Sequence, residues 1–414
     1  MKKLGSLIFC FLVPALCYAA ESFDLEVYAS RFDSIPIGVV DFISTNDQTM
    51  NRDETWKIIA NDFDFSGKFN VVTSAAFDSV LFDTNNVGIY IDGDYTIEGD
   101  QIVVNCYLKD VATQNLIIGK KYKGDLKFAR GMAHRYANEI VEMLFGDRGI
   151  FESKFVFIRV EGTNKNVVLM DFDGYNQVQL TKGNILNVFP AFSDKNTVLW
   201  SSYQRGKPDI YKGTLSDGSS KIFLYGRALH VSPDVSPIDG AVAYACSNTG
   251  SLDIYTCAPD GTNVKQLTFH YGIDTSPAWS PNGYQIAFTS DRAGSPQVYV
   301  MDSDGANQRR VTFESRYCDS PAWSPKGDKI AFASMGDGYK FDIWTVTPDG
   351  EETFKVTEIS GSCENPTWSP DGSLIAFTRT IGGRSDLYVV KPDGTRLRRI
   401  TSTGDVKMPN WSGF

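Results

Sequence analysis

Histidine is almost missing from this chain: His134, His230 and His270 are the only three in 414 residues. That scarcity leaves little room for His-based catalysis or for a His-rich metal centre. Basic excess is missing too. Forty Lys and Arg stand against 50 Asp and Glu, a formal net charge of −10. A nucleic-acid binder needs a basic face to neutralise phosphates, and docking on anionic lipid needs the same, so both are excluded as partners. No apolar run reaches the ~20 residues that span a bilayer. The longest, Leu4 to Tyr18, follows Lys2 and Lys3 and ends in Cys17-Tyr18-Ala19. Small residues flank a cut after Ala19, so residues 1–20 read as a secretory signal peptide that is removed. A lipidated Cys17 would want a small residue before it and finds Leu16. The mature protein is therefore expected in an exported compartment with no membrane span. Cysteine is sparse as well. Cys106, Cys246, Cys257, Cys318 and Cys363 remain after the signal; five is odd, so there is no disulfide framework and the fold must stand on its core. No Gly-x-Ser-x-Gly elbow occurs, which counts against a serine hydrolase of the α/β type.

What the chain has is aromatics, glycine and a repeat. Ser276-Pro277-Ala278-Trp279-Ser280-Pro281 recurs from Ser320 and, as Asn365-Pro366-Thr367-Trp368-Ser369-Pro370, from Asn365; weaker copies lie at Pro190 to Ser193, Pro233 to Pro237 and Met408 to Ser412. The anchors 192, 235, 279, 323, 368 and 411 step by 43, 44, 44, 45 and 43. Asp-Gly pairs at 173, 217, 260, 304, 349 and 393 give the same period independently. Each repeat reads as four short strands: the anchor strand, a Ser-Pro-x-Gly type I turn, a buried Ile-Ala-Phe strand, a third strand, the Asp-Gly turn, and a fourth strand ending in residues such as Leu267-Thr268. Four antiparallel strands per ~40–50 residues is one propeller blade. The last repeat stops after its anchor and the first lacks one, so together they predict a sixth blade closed by pairing the two ends of residues 151–414. Closure removes open sheet edges.

Residues 21–150 lack the repeat and read as a small α/β domain. Strands are expected over Ile35 to Phe42, at Val71-Val72, and over Tyr90 to Ile97, Ile102 to Leu108 and Leu116 to Tyr122. One helix is expected over Asp53 to Phe65. A second spans Asp125 to Phe145, with Asp125 as N-cap, Gly146 as stop, and Phe128, Met132, Tyr136, Ile140 and Leu144 on its apolar face. Ser22 to Val27 alternates polar and apolar like an edge strand.

An exported chain with an α/β domain ahead of a six-bladed propeller resembles the TolB family, the periplasmic component of the Tol-Pal system. Pro36 to Val40, Ser66 to Asn70, Asp171 to Gln177, Gly294 to Tyr299 and Val406 to Ser412 are similar to segments of that family. The resemblance implies a periplasmic, non-enzymatic adaptor that acts in outer-membrane integrity and division, with no cofactor. It implies that the propeller face receives Pal, the peptidoglycan-associated lipoprotein, and that the mature N-terminal segment, Ser22, Phe23, Asp24, Leu25, Glu26 and Val27, contacts TolA. A monomer is expected. The loop before each anchor should enter the propeller near its axis, where a partner's loop could dock; four or five positions before the anchors stand Asn187, His230, Thr275, Asp319, Glu364 and Lys407. The family's corresponding loops face Pal. The other readings are a propeller that binds a small ligand or glycan in its channel, or a propeller hydrolase. The Asp-x-Asp-Gly copies lack the distal Glu of a calcium loop and read as turns. Cys318 and Cys363 hold equivalent places in adjacent blades, and His134 reads as a packing or surface residue.

Overall fold

The computed structural model describes residues 34–46, 48, 55–313 and 315–412. The expected signal peptide and the expected TolA segment, Ser22 to Val27, lie outside the described residues.

The first domain is a sheet with helices on both faces. Its strands are β1 (Ile35–Val40), β2 (Ile43–Ser44), β3 (Phe69–Ser74), β4 (Ile89–Glu98), β5 (Gln101–Asp110) and β6 (Leu116–Asp125), in the order β3-β1-β4-β5-β6 with β2 on β4. β1 runs parallel to β3 and β4; β4, β5 and β6 form an antiparallel meander. Side chains alternate between the two faces of a strand, so Ile37, Val39, Ile91, Ile102 and Val104 bury one face against α1 (Thr55–Ser66) and α3 (Ala129–Phe145). Val40 and Tyr90 bury the other against α2 (Ser79–Thr84) through Phe82. The reading above has no α2. Its signal was Asp78, whose carboxylate accepts Leu81 N–H at 3.0 Å as an N-cap.

Two details of the second helix differ from expectation. Asp125 does not cap it: residues Leu126–Phe128 form a 3₁₀ turn, and the Asp125 carboxylate instead accepts from Gln101 Nε2 at 2.5 Å. The apolar face is also rotated. Phe128 is exposed, while Ala133, Tyr136, Ala137, Ile140 and Val141 are buried. A strict four-residue step overshoots the 3.6-residue turn, so the buried stripe follows the i, i+3, i+4, i+7 pattern instead. The stop is as expected: Gly146 takes φ 75° and its N–H bonds to Glu142 O at 2.8 Å.

Six four-stranded antiparallel sheets follow. Five are built from consecutive strands. In the sixth, the C-terminal strand Val406–Trp411 pairs with Lys154–Glu161, which pairs in turn with Asn164–Asp171 and Val178–Gln179. Ends more than 240 residues apart thus share one blade. The Asp-Gly pairs all lie between the third and fourth strands, and each Asp accepts the N–H two residues on, at 2.8 Å for Asp393 and 3.4 Å for Asp173. In the Ser-Pro-x-Gly turns the Gly N–H reaches the Ser carbonyl at 2.9–3.0 Å (Gly283, Gly327, Gly372), the bond of a type I turn. Cys246 faces Asp253 and Cys257 faces Val242, so those two thiols are out of register; all five described cysteines are free and buried.

Trp411 locks the closure. Its ring sits 4.4 Å from that of Phe155, its indole N–H donates to Ser153 Oγ at 2.8 Å, and it is 5% exposed. Truncating such a residue removes its transfer free energy and leaves a cavity, at a cost of about 3–5 kcal/mol. Trp411→Ala should therefore lower the unfolding free energy of the full chain by an amount of that size, read as a lower urea midpoint. A midpoint within experimental error of wild type would show that the ring is held shut elsewhere.

Candidate functional site

Every inner strand of the propeller carries the same irregularity. Pairing with the second strand runs to Val188, Val231, Thr275, Asp319, Glu364 or Lys407, then resumes three residues later at Ala191, Asp234, Ala278, Ala322, Thr367 or Asn410. The skipped pair is always X-Pro. Proline has no N–H to give the ladder, and the residue before it adopts a left-handed φ of 50–56° at Phe189, Ser232, Ser276, Ser320, Asn365 and Met408. None of these is glycine, so each costs roughly 1–2 kcal/mol. The six bulges turn toward the axis and line a central cavity of about 350 Å³.

Below the bulges the blades are tied to one another. Asp234 Oδ2 accepts Trp279 N–H at 2.7 Å, Thr367 Oγ1 accepts Trp411 N–H at 3.2 Å, and Asn410 Oδ1 accepts Phe192 N–H at 3.0 Å. These side chains occupy one repeat position in three blades; the other three blades have Ala there. Burial pushes the Asp234 carboxyl up to about 6, with the N–H bonds from Trp279 and Val235 opposing the shift.

This register corrects the expected partner-binding set. Thr275, Asp319, Glu364 and Lys407 are equivalent, each immediately before its bulge and partly buried. Asn187 and His230 are not. They stand one residue earlier, on the opposite face of the strand, and both are buried. Asn187 donates to Lys165 O at 2.8 Å, and His230 packs on Tyr244 with its Nδ1 3.9 Å from Asp209. The true equivalents in those blades are Val188 and Val231. Counting back from each proline, two residues in every repeat, gives the right register; counting back from the aromatic anchor by a variable step does not. All six expected residues are strand residues rather than loop residues. Asp319 also has structural work, accepting from Thr289 Oγ1 of the preceding blade at 2.8 Å.

Antiparallel pairing places the Ser-Pro-x-Gly and Asp-Gly turns at one end of the propeller. The α/β domain sits there: Asp64 pairs with Arg396 and Arg398 at 3.2 and 3.1 Å, and Lys68 with Asp371 at 3.5 Å. The inner strands begin at the opposite end. Connections at that end expose large aromatics, among them Tyr203, Tyr225, Phe269, Tyr271, Phe313 and Tyr339; Phe269, Tyr271 and Tyr339 are 77%, 85% and 87% exposed. The sequence reading did not single them out. Among the described residues, one group has ligand atoms close enough for a metal ion, namely Asp62, His134 and Asp173 at the domain boundary. Arg130 pairs with Asp173 there and already supplies a positive charge.

Two family models match the chain: the TolB beta propeller domain over residues 141–414 and the TolB amino-terminal domain over residues 23–117. The chain belongs to the TolB family. It is 33% identical to the Tol-Pal system protein TolB of Desulfosudis oleivorans over 64% of this chain and 65% of that one. It is 33% identical to the Protein TolB homolog of Chlorobaculum tepidum over 42% and 40% of the two chains, and 29% identical to the Tol-Pal system protein TolB of Rickettsia prowazekii over 56% of each. The matched stretches thus span about two fifths to just under two thirds of these relatives. The crystal structure of TolB from Acinetobacter baumannii shares the fold, with a TM-score of 0.78 at 22% identity over 92% of this chain and 96% of that one.

The inner ring has a titratable member, and its effect can be signed. Asp234 binds its proton more tightly folded than unfolded, so its contribution to stability falls as pH rises from about 4 through about 6. Asp234→Asn keeps an oxygen for Trp279 N–H and removes the charge. Its stability relative to wild type should increase across that window, measured by urea unfolding at pH 4.5 and 7. A pH-independent difference between the two proteins would refute the assignment.

Proposed function

We propose that this TolB-family chain is a periplasmic, non-enzymatic adaptor of the Tol-Pal system that binds Pal on the end of the propeller remote from the α/β domain. The observation that carries this reading is the group of exposed aromatics at that end, spread over four consecutive blades. Exposed apolar patches of this kind mark interaction surfaces, and aromatics are enriched where proteins meet. Just before the bulges, Thr275, Asp319, Glu364 and Lys407 give four blades polar or charged, partly buried positions, while Val188 and Val231 there are apolar and buried. A protruding loop of Pal would find its hydrogen-bonding groups on those four blades. The family membership and the names of the relatives support the Tol-Pal assignment. TolA contact through Ser22 to Val27 is proposed on the alternation of that segment and its place ahead of the α/β domain.

A lone ligand-binding propeller is the second reading, because the axial cavity is large enough for a small molecule. The two are separated by titration with the purified periplasmic domain of Pal. Glu364 and Lys407 make the better test than Asp319, whose bond to Thr289 ties two blades. Glu364→Lys and Lys407→Glu should each weaken Pal binding by about tenfold, roughly 1.4 kcal/mol, with the melting curve close to wild type. Unchanged Pal affinity in both variants, or no Pal binding by the wild-type chain, would overturn the reading.

A further inference from the structure

All six Asp-Gly aspartates accept a backbone N–H of their own turn. One of them also reaches into the other domain. Asp173, in the closing blade, is ion-paired with Arg130 of α3, and its Oδ2 lies 3.8 Å from His134 Nε2 on the same helix. On its other side the His134 ring is 2.8 Å, through Nδ1, from Asp62 Oδ2 on α1. Asp62 is 1% exposed and His134 4%. Phe172 packs edge-on to the imidazole at 5.3 Å, and the Arg130 guanidinium lies over Tyr175 at 3.9 Å, so apolar rings cover the group. One imidazole therefore sits between a carboxylate of the α/β domain and a carboxylate of the propeller.

The charges that meet here are Asp62 from α1, Arg130 and His134 from α3, and Asp173 from the propeller turn. With His134 protonated the four sum to zero, and both imidazole N–H groups point at carboxylates, one in each domain. With His134 neutral, one ring nitrogen loses its proton. Two carboxylates then share the single cation Arg130, and Nε2, which is buried with no hydrogen-bond partner at its present distance, has nothing to offer Asp173. Leaving a buried charge without compensation is costly.

We propose that Asp62, His134, Arg130 and Asp173 form a proton-operated latch that holds the α/β domain on the propeller when His134 is protonated and loosens when it is not. The direction of titration agrees. Burial opposes the charge on His134, but the bond to Asp62 and the fields of Asp62 and Asp173 outweigh it and raise its pKa. Of these fields only that of Asp173 is brought by the propeller, so His134 binds its proton more tightly docked than undocked, and the latch weakens as pH rises through the docked value. This goes beyond the adaptor reading and does not depend on it.

The shortage of histidine makes the test direct. With only His134, His230 and His270 to resolve, imidazole NMR of the full chain should show one histidine titrating above the ordinary value, and that signal should vanish in His134→Gln. Hydrogen exchange over α1 and α3, corrected for intrinsic rate, should be slower at pH 5.5 than at pH 8.5. The protection lost should approach tenfold for each unit by which the His134 pKa in the docked state exceeds that in the undocked state. Asp173→Asn is the decisive variant, since it sits on a surface turn and leaves the His134–Asp62 pair intact. It should abolish the pH dependence of protection while His134 still titrates. Wild-type protection that does not change with pH, or a pH dependence that survives in Asp173→Asn, would overturn the latch.

Discussion

The architecture depends on one strand finding its partner. Val406–Trp411 must pair with Lys154–Glu161 before the propeller is a ring, and until it does, five blades present an open sheet edge and two unburied blade faces. Contacts of such sequence separation are slow to form, because loop-closure entropy is lost before any bond rewards it. The compensation is concentrated at the same place: the Trp411–Phe155 ring contact, the indole bond to Ser153, and Ser412, whose N–H donates to Lys154 O and whose Oγ accepts Lys154 N–H, both at 2.8 Å. Closure also completes the core between the domains, since Phe155, Phe172, Val406 and Trp411 belong to one buried cluster with Phe63, Phe69 and Phe151. The α/β domain is therefore docked on the blade that the closure creates.

A closed ring still has to face its own axis. Radial sheets would bring six inner strands together edge-on, each with backbone groups that no seventh element can satisfy. The X-Pro bulges answer this. Proline removes one N–H, the left-handed residue before it turns the chain, and the strand resumes in register three residues on. The strain is accepted six times over because the same geometry sets each blade's angle. It also explains the choice of side chain just after the bulge. Where Asp234, Thr367 and Asn410 stand, the next blade's anchor N–H gains an oxygen; where Ala stands, the space is left to packing, and Trp368 Nε1 instead reaches Ala322 O at 3.0 Å.

The repeat made the propeller readable, because period, turn chemistry and closure were all written in residue types that have few other uses. The N-terminal strands were readable for the same kind of reason: Ile37, Val39, Ile102 and Val104 alternate as a half-buried sheet must. What the sequence hid was registration at the scale of one residue. Asn187 and His230 look equivalent to Thr275 until the bulge is counted from proline, and a slip of one places a side chain on the opposite face. The apolar stripe of α3 was misplaced by a similar margin. His134 was hidden for a different reason. Its partners, Asp62 and Asp173, are 72 and 39 positions away, and nothing local marks a histidine between Ala133 and Arg135 as the centre of a buried charge group. The exposed aromatics were hidden by their own abundance, since 53 Phe, Tyr and Trp residues are mostly core.

The closing blade carries one residue of the proposed partner surface and one of the proposed latch, and this bears on whether they can communicate. Lys407 lies near one end of its inner strand, at the open mouth of the propeller. Asp173 lies in the turn at the other end of the same sheet, against His134. Apart from the bulge at Met408-Pro409, the sheet between them is paired throughout and packed on a buried core, so it is poorly suited to be the moving part of a switch. The proposed latch instead acts on the docking of the α/β domain, whose charged contacts with the propeller include the exposed, weak pairs of Asp64 with Arg396 and Arg398 and the more buried pair of Lys68 with Asp371. The buried group around His134 is then the term able to bias that docking. A partner at the far mouth would affect the domain only by altering how the closing blade presents Asp173, a displacement transmitted along a single rigid sheet. Coupling of that kind is reciprocal: whatever loosens the domain must change affinity at the mouth by the same factor.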